Sequence, residues 1–330
     1  SLIGNFTIQI QESTMAEKKT VFVTGGAGFI GLHVVEQLLE RDWKVRIFDN
    51  MWRGDRDRAN ALASTGLVDV IDQDVRSGAA VAAAMRGSSR VIHLAADSIN
   101  KSVADTYSSL DVNVVGSNNV FSTAADQGIE RVVYASSASV YGDPLKLPMH
   151  EDDALSPLTP YCIGKRTGED LLRYYERKSG LNWIALRFFN VYGPGQKTTA
   201  YYTSVINHFV NRLRNGEAPV IDGKGEQSMD FIHVKDIARA VVLAVEAPQG
   251  NASINVGTGI DTSVAQLARI LIDAIGADVE PQFNPRDVLV SRRAADTTRA
   301  KEMLGFEYSI EVGPGMTDLI RYEAAQGEKA

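Results

Sequence analysis

The stretch Thr24-Gly25-Gly26-Ala27-Gly28-Phe29-Ile30-Gly31 constrains the fold of this chain more than any other. It follows an apolar run, Thr20-Val21-Phe22-Val23, and opens a helical pattern from Leu32 to Leu39, so it spells strand, glycine turn and helix. Gly25, Gly28 and Gly31 suit a tight turn, a backbone approach to a pyrophosphate and close packing of helix on sheet. The N–H groups from Phe29 and Ile30 onward would then face phosphate at the positive end of the helix dipole.

The next strand tests this reading. Lys44-Val45-Arg46-Ile47-Phe48 ends at Asp49, at about the 20-residue separation where an acid meets the adenosine ribose hydroxyls. A carboxylate there favours NAD over NADP, whose 2′-phosphate it would repel; the alternative is that Asp49 only ends a strand. Asp74-Val75, after Val68-Asp69-Val70-Ile71, is open between an adenine contact and a plain turn.

Farther on, the strand Arg90 to Leu94 ends at Ala95-Ala96. Ala104 to Gln127 carries Leu110, Val114, Val120 and Ala124 at helical spacing, and Arg131 to Ala135 leads into Ser136-Ser137. Strands that alternate with helices and are apolar on both faces predict an α/β fold, a Rossmann-type doubly wound parallel sheet over residues 18–190. Denser Pro and Gly punctuation predicts a smaller lobe over 191–330, with strands near 182–187 and 253–256 returning to the main sheet. Residues 1–17 lack the basic start and cleavage pattern of a signal peptide and read as a leader or added segment without order.

A net charge of −7 without a Lys/Arg run argues against nucleic acid as a partner. The single cysteine, Cys162, precludes an intrachain disulfide, and the five histidines lack metal-ligand spacing. No apolar run approaches the roughly 20 residues that span a bilayer. The expectation is a reduced, metal-free cytoplasmic protein.

Tyr161 and Lys165 stand four apart at the start of a helical segment running through Arg166 to Lys178, and so share a face. A phenol ordinarily titrates near 10, and a neighbouring ammonium favours its phenolate, which makes a usable base. Ser137 falls where a strand reaches its C-terminal edge, the ligand edge of such sheets.

Together these stretches resemble the extended short-chain dehydrogenase/reductases, and within them the NAD-dependent nucleotide-sugar epimerases of the UDP-glucose 4-epimerase group. The matching segments are TGGAGFIG (24–31), VIHLAAD (91–97), VVYASSASVYG (132–142), YCIGK (161–165), LRFFNVYGPGQ (186–196) and DFIHVKDIARA (230–240). The resemblance implies NAD held by Gly25, Gly28, Phe29, Ile30, Gly31, Asp49, Asn50, Asp74, Val75, Leu94, Ala95, Ala96 and Asn113, with Tyr161 and Lys165 at the nicotinamide end. It implies a sugar nucleotide held by Ser137, Asn190, Arg286 and Arg293. Tyr161 would remove the C4 hydroxyl proton as hydride passes to NAD, Lys165 would bind the nicotinamide ribose, and Ser137 would hydrogen-bond the same sugar oxygen. The 4-keto sugar would turn over and take the hydride back on its other face. A homodimer through helices near 104–127 and 161–179 is implied as well.

Relatives that eliminate water or carbon dioxide carry an acid after the catalytic Ser or Thr, whereas this chain reads Ser137-Ala138-Ser139-Val140-Tyr141-Gly142. That favours epimerisation over a 4,6-dehydratase, decarboxylase or 4-ketoreductase. A non-catalytic NAD-binding regulator would typically lack the tyrosine and lysine. Met229 stands where the family places one phosphate-binding arginine. Arg286 has the spacing of the second, ten residues before Ala295-Asp296, and Arg292 and Arg293 are further candidates. Arg293 could supply phosphate charge, pair with a uronate, or belong to a solvated basic strand. Asn190 is open between substrate contact and strand cap. Tyr141 and Tyr192 are read as packing or loop anchors, His93 and His233 as satisfied core histidines, and Cys162 as a small buried residue.

Overall fold

The computed structural model describes residues 19–196, 204–286 and 290–327. The first half alternates strand and helix: β1 (Thr20–Thr24), α1 (Phe29–Glu40), β2 (Lys44–Asp49), α2 (Arg56–Ala63), β3 (Val68–Asp72), α3 (Gly78–Met85) and β4 (Arg90–His93). It continues through α4 (Ile99–Ala104), α5 (Thr106–Leu110), α6 (Ser117–Asp126), β5 (Arg131–Ser137), α7 (Pro160–Ser179) and β6 (Trp183–Phe188). The second half holds β7 (Asn190–Tyr192), α8 (Ser204–Arg214), β8 (Val220–Asp222), β9 (Ser228–Met229), β10 (Phe231–His233) and α9 (Val234–Glu246). It ends with β11 (Ala252–Val256), β12 (Thr262–Ser263), α10 (Val264–Ile275), β13 (Gln282–Asn284), α11 (Thr298–Leu304) and α12 (Val312–Gly327).

Seven strands form one parallel sheet in the order β11-β6-β5-β4-β1-β2-β3. Because β1 sends its chain to β2 on one side and lies against β4 on the other, the order reverses at β1. A crevice opens there at the carboxyl ends of the strands. Period-two alternation explains the two covered faces: Val21 and Val23 join the core under α1 and α9, whereas Phe22 joins the core under α3, α6 and α7.

A third core gathers α8, α10 and α12 through Phe209, Leu267, Leu271, Met316 and Leu319. Short pairs tie this region back, β7 with β10 and β9 with β12. Asp230 acts as the rivet, with its buried carboxylate accepting from Thr258 N at 2.8 Å, Thr258 Oγ1 at 2.7 Å, Gly259 N at 2.9 Å and Ala295 N at 3.1 Å.

The continuous helix expected from 104 to 127 is interrupted. A π-helical turn occupies Asp111–Gly116 between α5 and α6. Close packing accompanies it, since a Cβ on Gly116 would lie 2.7 Å from Val75 Cγ2.

Candidate active site

A cavity of about 690 Å³ lies over the carboxyl edge of β1, β2 and β4. The three glycines serve it for different reasons. Gly25 has φ +68°, and a Cβ there would stand 2.7 Å from Ala95 N, so only glycine lets the turn meet the end of β4. A Cβ on Gly31 would strike Gly25 O at 2.3 Å, which fixes the closeness of α1 to the turn. At Gly28 a Cβ would meet only Gly25 O, at 3.1 Å, leaving that side open to the cavity it lines. No side chain caps α1 at Gly28, so its first N–H groups stay available to an anion at the helix's positive end.

Asp49 lines the same cavity at the end of β2. One carboxylate oxygen accepts from Ala27 N at 3.1 Å and the other from Met51 N at 2.9 Å. Burial raises its pKa, and the two amide hydrogen bonds oppose that shift. Asp74 is clamped by Arg76 through bonds of 2.9 and 2.8 Å, and Asn50 Nδ2 donates to it at 2.9 Å. The Arg76 guanidinium holds the Asp74 carboxyl well below the usual carboxylate range. Phe29, Ile30, Asn50, Val75, Leu94, Ala95 and Ala96 also line this cavity.

The second group of residues gathers where β5 meets α7. Helix α7 starts sharply because Thr159 Oγ1 accepts from Cys162 N at 3.3 Å and Pro160 occupies its first turn. This sets Tyr161, half-buried, one turn before Lys165, whose Nζ lies 5.6 Å from the Tyr161 ring centroid. Lys165 Nζ donates to Ala135 O at 2.6 Å, two residues before Ser137 on β5. Ser137 Oγ accepts from Ser139 N at 3.2 Å and from Ser139 Oγ at 2.8 Å. Burial lowers the Lys165 pKa to about 7.

Residues 21–257 match the NAD dependent epimerase/dehydratase family. The chain belongs to that family. It is 34% identical to a putative UDP-glucose 4-epimerase of Methanocaldococcus jannaschii, over 92% of this chain and 97% of that protein. The crystal structure of UDP-glucose 4-epimerase from Thermotoga maritima with UDP-glucose superimposes with a TM-score of 0.84 at 32% identity, over 93% of this chain and 99% of that one. UDP-N-acetylglucosamine 4-epimerase from Methanobrevibacter ruminantium, in complex with UDP-N-acetylmuramic acid, reaches 0.86 at 32% identity, over 94% and 99%.

An epimerase/dehydratase family member of this kind uses NAD, and the cavity fits it: an open Gly28, an uncapped helix start and an acid at the end of β2. Asn113 does not line this cavity. Its Oδ1 accepts from Asp97 N at 2.8 Å and its Nδ2 donates to Ser109 Oγ at 3.1 Å, so it fixes the loop that leaves β4. Trp52, Asp97, Lys101, Gly195 and Gln196 line the cavity without having been singled out in the sequence. The signals were faint: Trp52 follows Asp49-Asn50 closely, and Asp97 precedes Lys101 by one helical turn.

The other candidates divide. Arg286 points outward, 61% exposed and 3.0 Å from Asp222. Arg292 is committed to Asp261 at 2.7 Å. Arg293 is tucked in at 15% exposure, 3.8 Å from Asp143 on the loop after the Ser137 turn. Asn190 Nδ2 donates to Asp230 O at 3.2 Å, and Met229 packs against the third core.

Tyr141 anchors as expected, donating to Asn255 Oδ1 at 2.7 Å and accepting from Arg187 at 2.8 Å. His93 is satisfied at both nitrogens, by Thr24 Oγ1 at 2.6 Å and Ser117 Oγ at 2.9 Å. His233 differs from the expectation of a satisfied core histidine. Its Nδ1 accepts from Lys235 N and caps α9, whereas Nε2 has no hydrogen-bond partner among the described residues and lies 3.5 Å from Asp318. The cap claims the acceptor nitrogen, so the proton sits on Nε2.

The lowered Lys165 pKa has a measurable consequence. Between about 7 and 10.5 the unfolded chain holds a proton at this lysine that the folded chain has lost. Stability from this group therefore rises with pH across that window, by roughly 1.4 kcal/mol per unit, and is least below it. Thermal melts of cofactor-free protein should show this slope, and Lys165→Met should flatten it; equal slopes in the two proteins would refute the burial argument.

Proposed function

We propose that this protein epimerises a UDP-sugar at C4 through a transient 4-keto sugar. The observation that carries the reading is the Tyr161–Lys165 pair at the start of α7 beside a Ser137 turn that holds no carboxylate at Ala138 or Ser139. Bound NAD supplies a reversible hydride acceptor. Tyr161 takes the C4 hydroxyl proton, and the Lys165 cation stabilises the phenolate that does so. Ser139 Oγ donates to Ser137 Oγ at 2.8 Å, which leaves the Ser137 proton for the sugar oxygen. Because the same groups serve both directions, the proton returns to the sugar once the opposite face is presented.

In this reading residues 18–190, with β11, hold NAD, and the remainder of 191–330 mainly grips the sugar nucleotide. Arg293 carries the anionic contact, since of the three candidate arginines it alone is tucked in, beside Asp143 on the loop after the Ser137 turn, while Arg286 and Arg292 are paired at the surface. Asn190 stands beside Asp230, where it orders the floor of the sugar site. We propose a homodimer, a reading supported by the apolar residues that α4, α5, the π turn and α7 leave exposed: Val103, Tyr107, Val115, Ile163 and Tyr174. We place the enzyme in the cytoplasm; among the described residues no helix is long and apolar enough to cross a membrane.

The test is incubation with UDP-glucose, UDP-N-acetylglucosamine or UDP-glucuronate, without added NADH, read by proton NMR. Equilibration with the C4 epimer of one of them is expected. A 4-keto-6-deoxy or pentose product, or no product until NADH is supplied, would replace this reading with a dehydratase, decarboxylase or reductase.

A further inference from the structure

Two cavity-lining side chains have no part in the reaction above. Trp52 lies on the connection from β2 to α2, 63% exposed and outside every core cluster. Lys101 lies in α4, on the connection that leaves β4. Strands β2 and β4 flank β1, so the two connections rise on either side of the glycine turn. Lys101 Nζ nevertheless stands 4.2 Å from the Trp52 ring centroid, and the contact crosses from one wall of the cavity to the other.

Both halves of this contact are held in place. Asp97 fixes Lys101 Nζ at 2.9 Å, and Asp97 N is itself bonded to the buried Asn113. On the opposite wall Met51 adopts φ +59°, a conformation that side chains other than glycine seldom take. The next residue is pinned as Trp52 N donates to Asn50 Oδ1 at 3.1 Å. A large indole is thus aimed away from any core and toward a cation on the far wall.

We propose that Trp52 and Lys101 form a clasp over seated NAD that slows its release. A cation–π contact is weak when bathed in water and strengthens when its surroundings are desolvated. The clasp therefore yields to an entering dinucleotide and tightens once one covers the cavity floor. The cavity measures about 690 Å³ with the contact formed, so the two side chains bridge its walls without filling it. The inference depends on cofactor binding alone and not on the sugar, so its test contains no sugar.

The measurement is the rate at which the full chain releases NADH when displaced by excess NAD, followed by NADH fluorescence. Trp52→Ala and Lys101→Met should each release NADH roughly 2- to 30-fold faster, the span of such a contact between exposed and covered surroundings. The double variant should be no faster than the faster single, while Trp52→Phe and Lys101→Arg should retain most of the retention. Unchanged release in the single variants would overturn the clasp. So would multiplied effects in the double variant, or an effect of Trp52→Ala with none from Lys101→Met, since the indole would then act on the cofactor without its partner.

Discussion

Tyr161→Phe should lower turnover by roughly 100- to 10,000-fold while NAD stays bound, the range that a positioned general acid–base group supplies. The substitution removes one oxygen and keeps the ring. Thr159 and Pro160 set the start of α7 without help from the phenol, and Lys165 keeps its bond to Ala135 O at 2.6 Å. The fold and the cofactor cavity, which Tyr161 does not line, are left as they were. What disappears, in the proposed mechanism, is the hydroxyl that takes and returns the C4 proton. The check is a progress curve on the substrate found by NMR, together with cofactor content from the absorbance of denatured protein. Near-normal turnover would sink the acid–base assignment, and loss of NAD alongside activity would recast Tyr161 as a binding residue.

Much of this site was legible because its parts obey local rules. A glycine that needs positive φ, a helix start that needs an anion and a pair four residues apart on one helix leave marks within a few residues of each other. The seven-stranded sheet was legible for the same reason, since strands such as β1, β5 and β6 are apolar on both faces. Features that depend on chain segments far apart were not. The family resemblance implies Asn113 as a cofactor contact, yet its amide bonds to Asp97 and Ser109, which only the folded loop reveals. Arg286 has the right distance from Ala295-Asp296 in sequence, but pairing with Asp222 turns it to solvent. Trp52 and Lys101 are separated by two strands and two helices, and nothing in either neighbourhood announces the other.

The least legible feature is also the one whose loss should cost the most stability. Glu169 sits one turn beyond Lys165 on α7, and composition gives no sign that it is fully buried. Arg187 on β6 grips it through bonds of 2.9 and 2.7 Å, while Ser136 Oγ and Ser253 Oγ donate to it at 2.6 and 2.8 Å. Three strands of the main sheet, β5, β6 and β11, thus converge on one carboxylate beneath the catalytic helix. Burial alone would raise the Glu169 pKa, but the Arg187 and serine hydrogen bonds outweigh it and hold the group lowered. Its contribution is therefore present above the ordinary glutamate range and is lost as pH falls through the lowered value. Glu169→Ala leaves the Arg187 cation buried, 2% exposed at its side chain and without its main counter-charge. Breaking such a pair from one side costs about 3–5 kcal/mol. Urea unfolding of cofactor-free protein should show a loss of that order. Glu169→Leu combined with Arg187→Met should recover a large part of it, because the apolar pair no longer strands a charge. A single-variant loss below about 1 kcal/mol, the scale of an exposed ion pair, would show that water reaches Arg187 and that the network does not anchor α7 to the sheet.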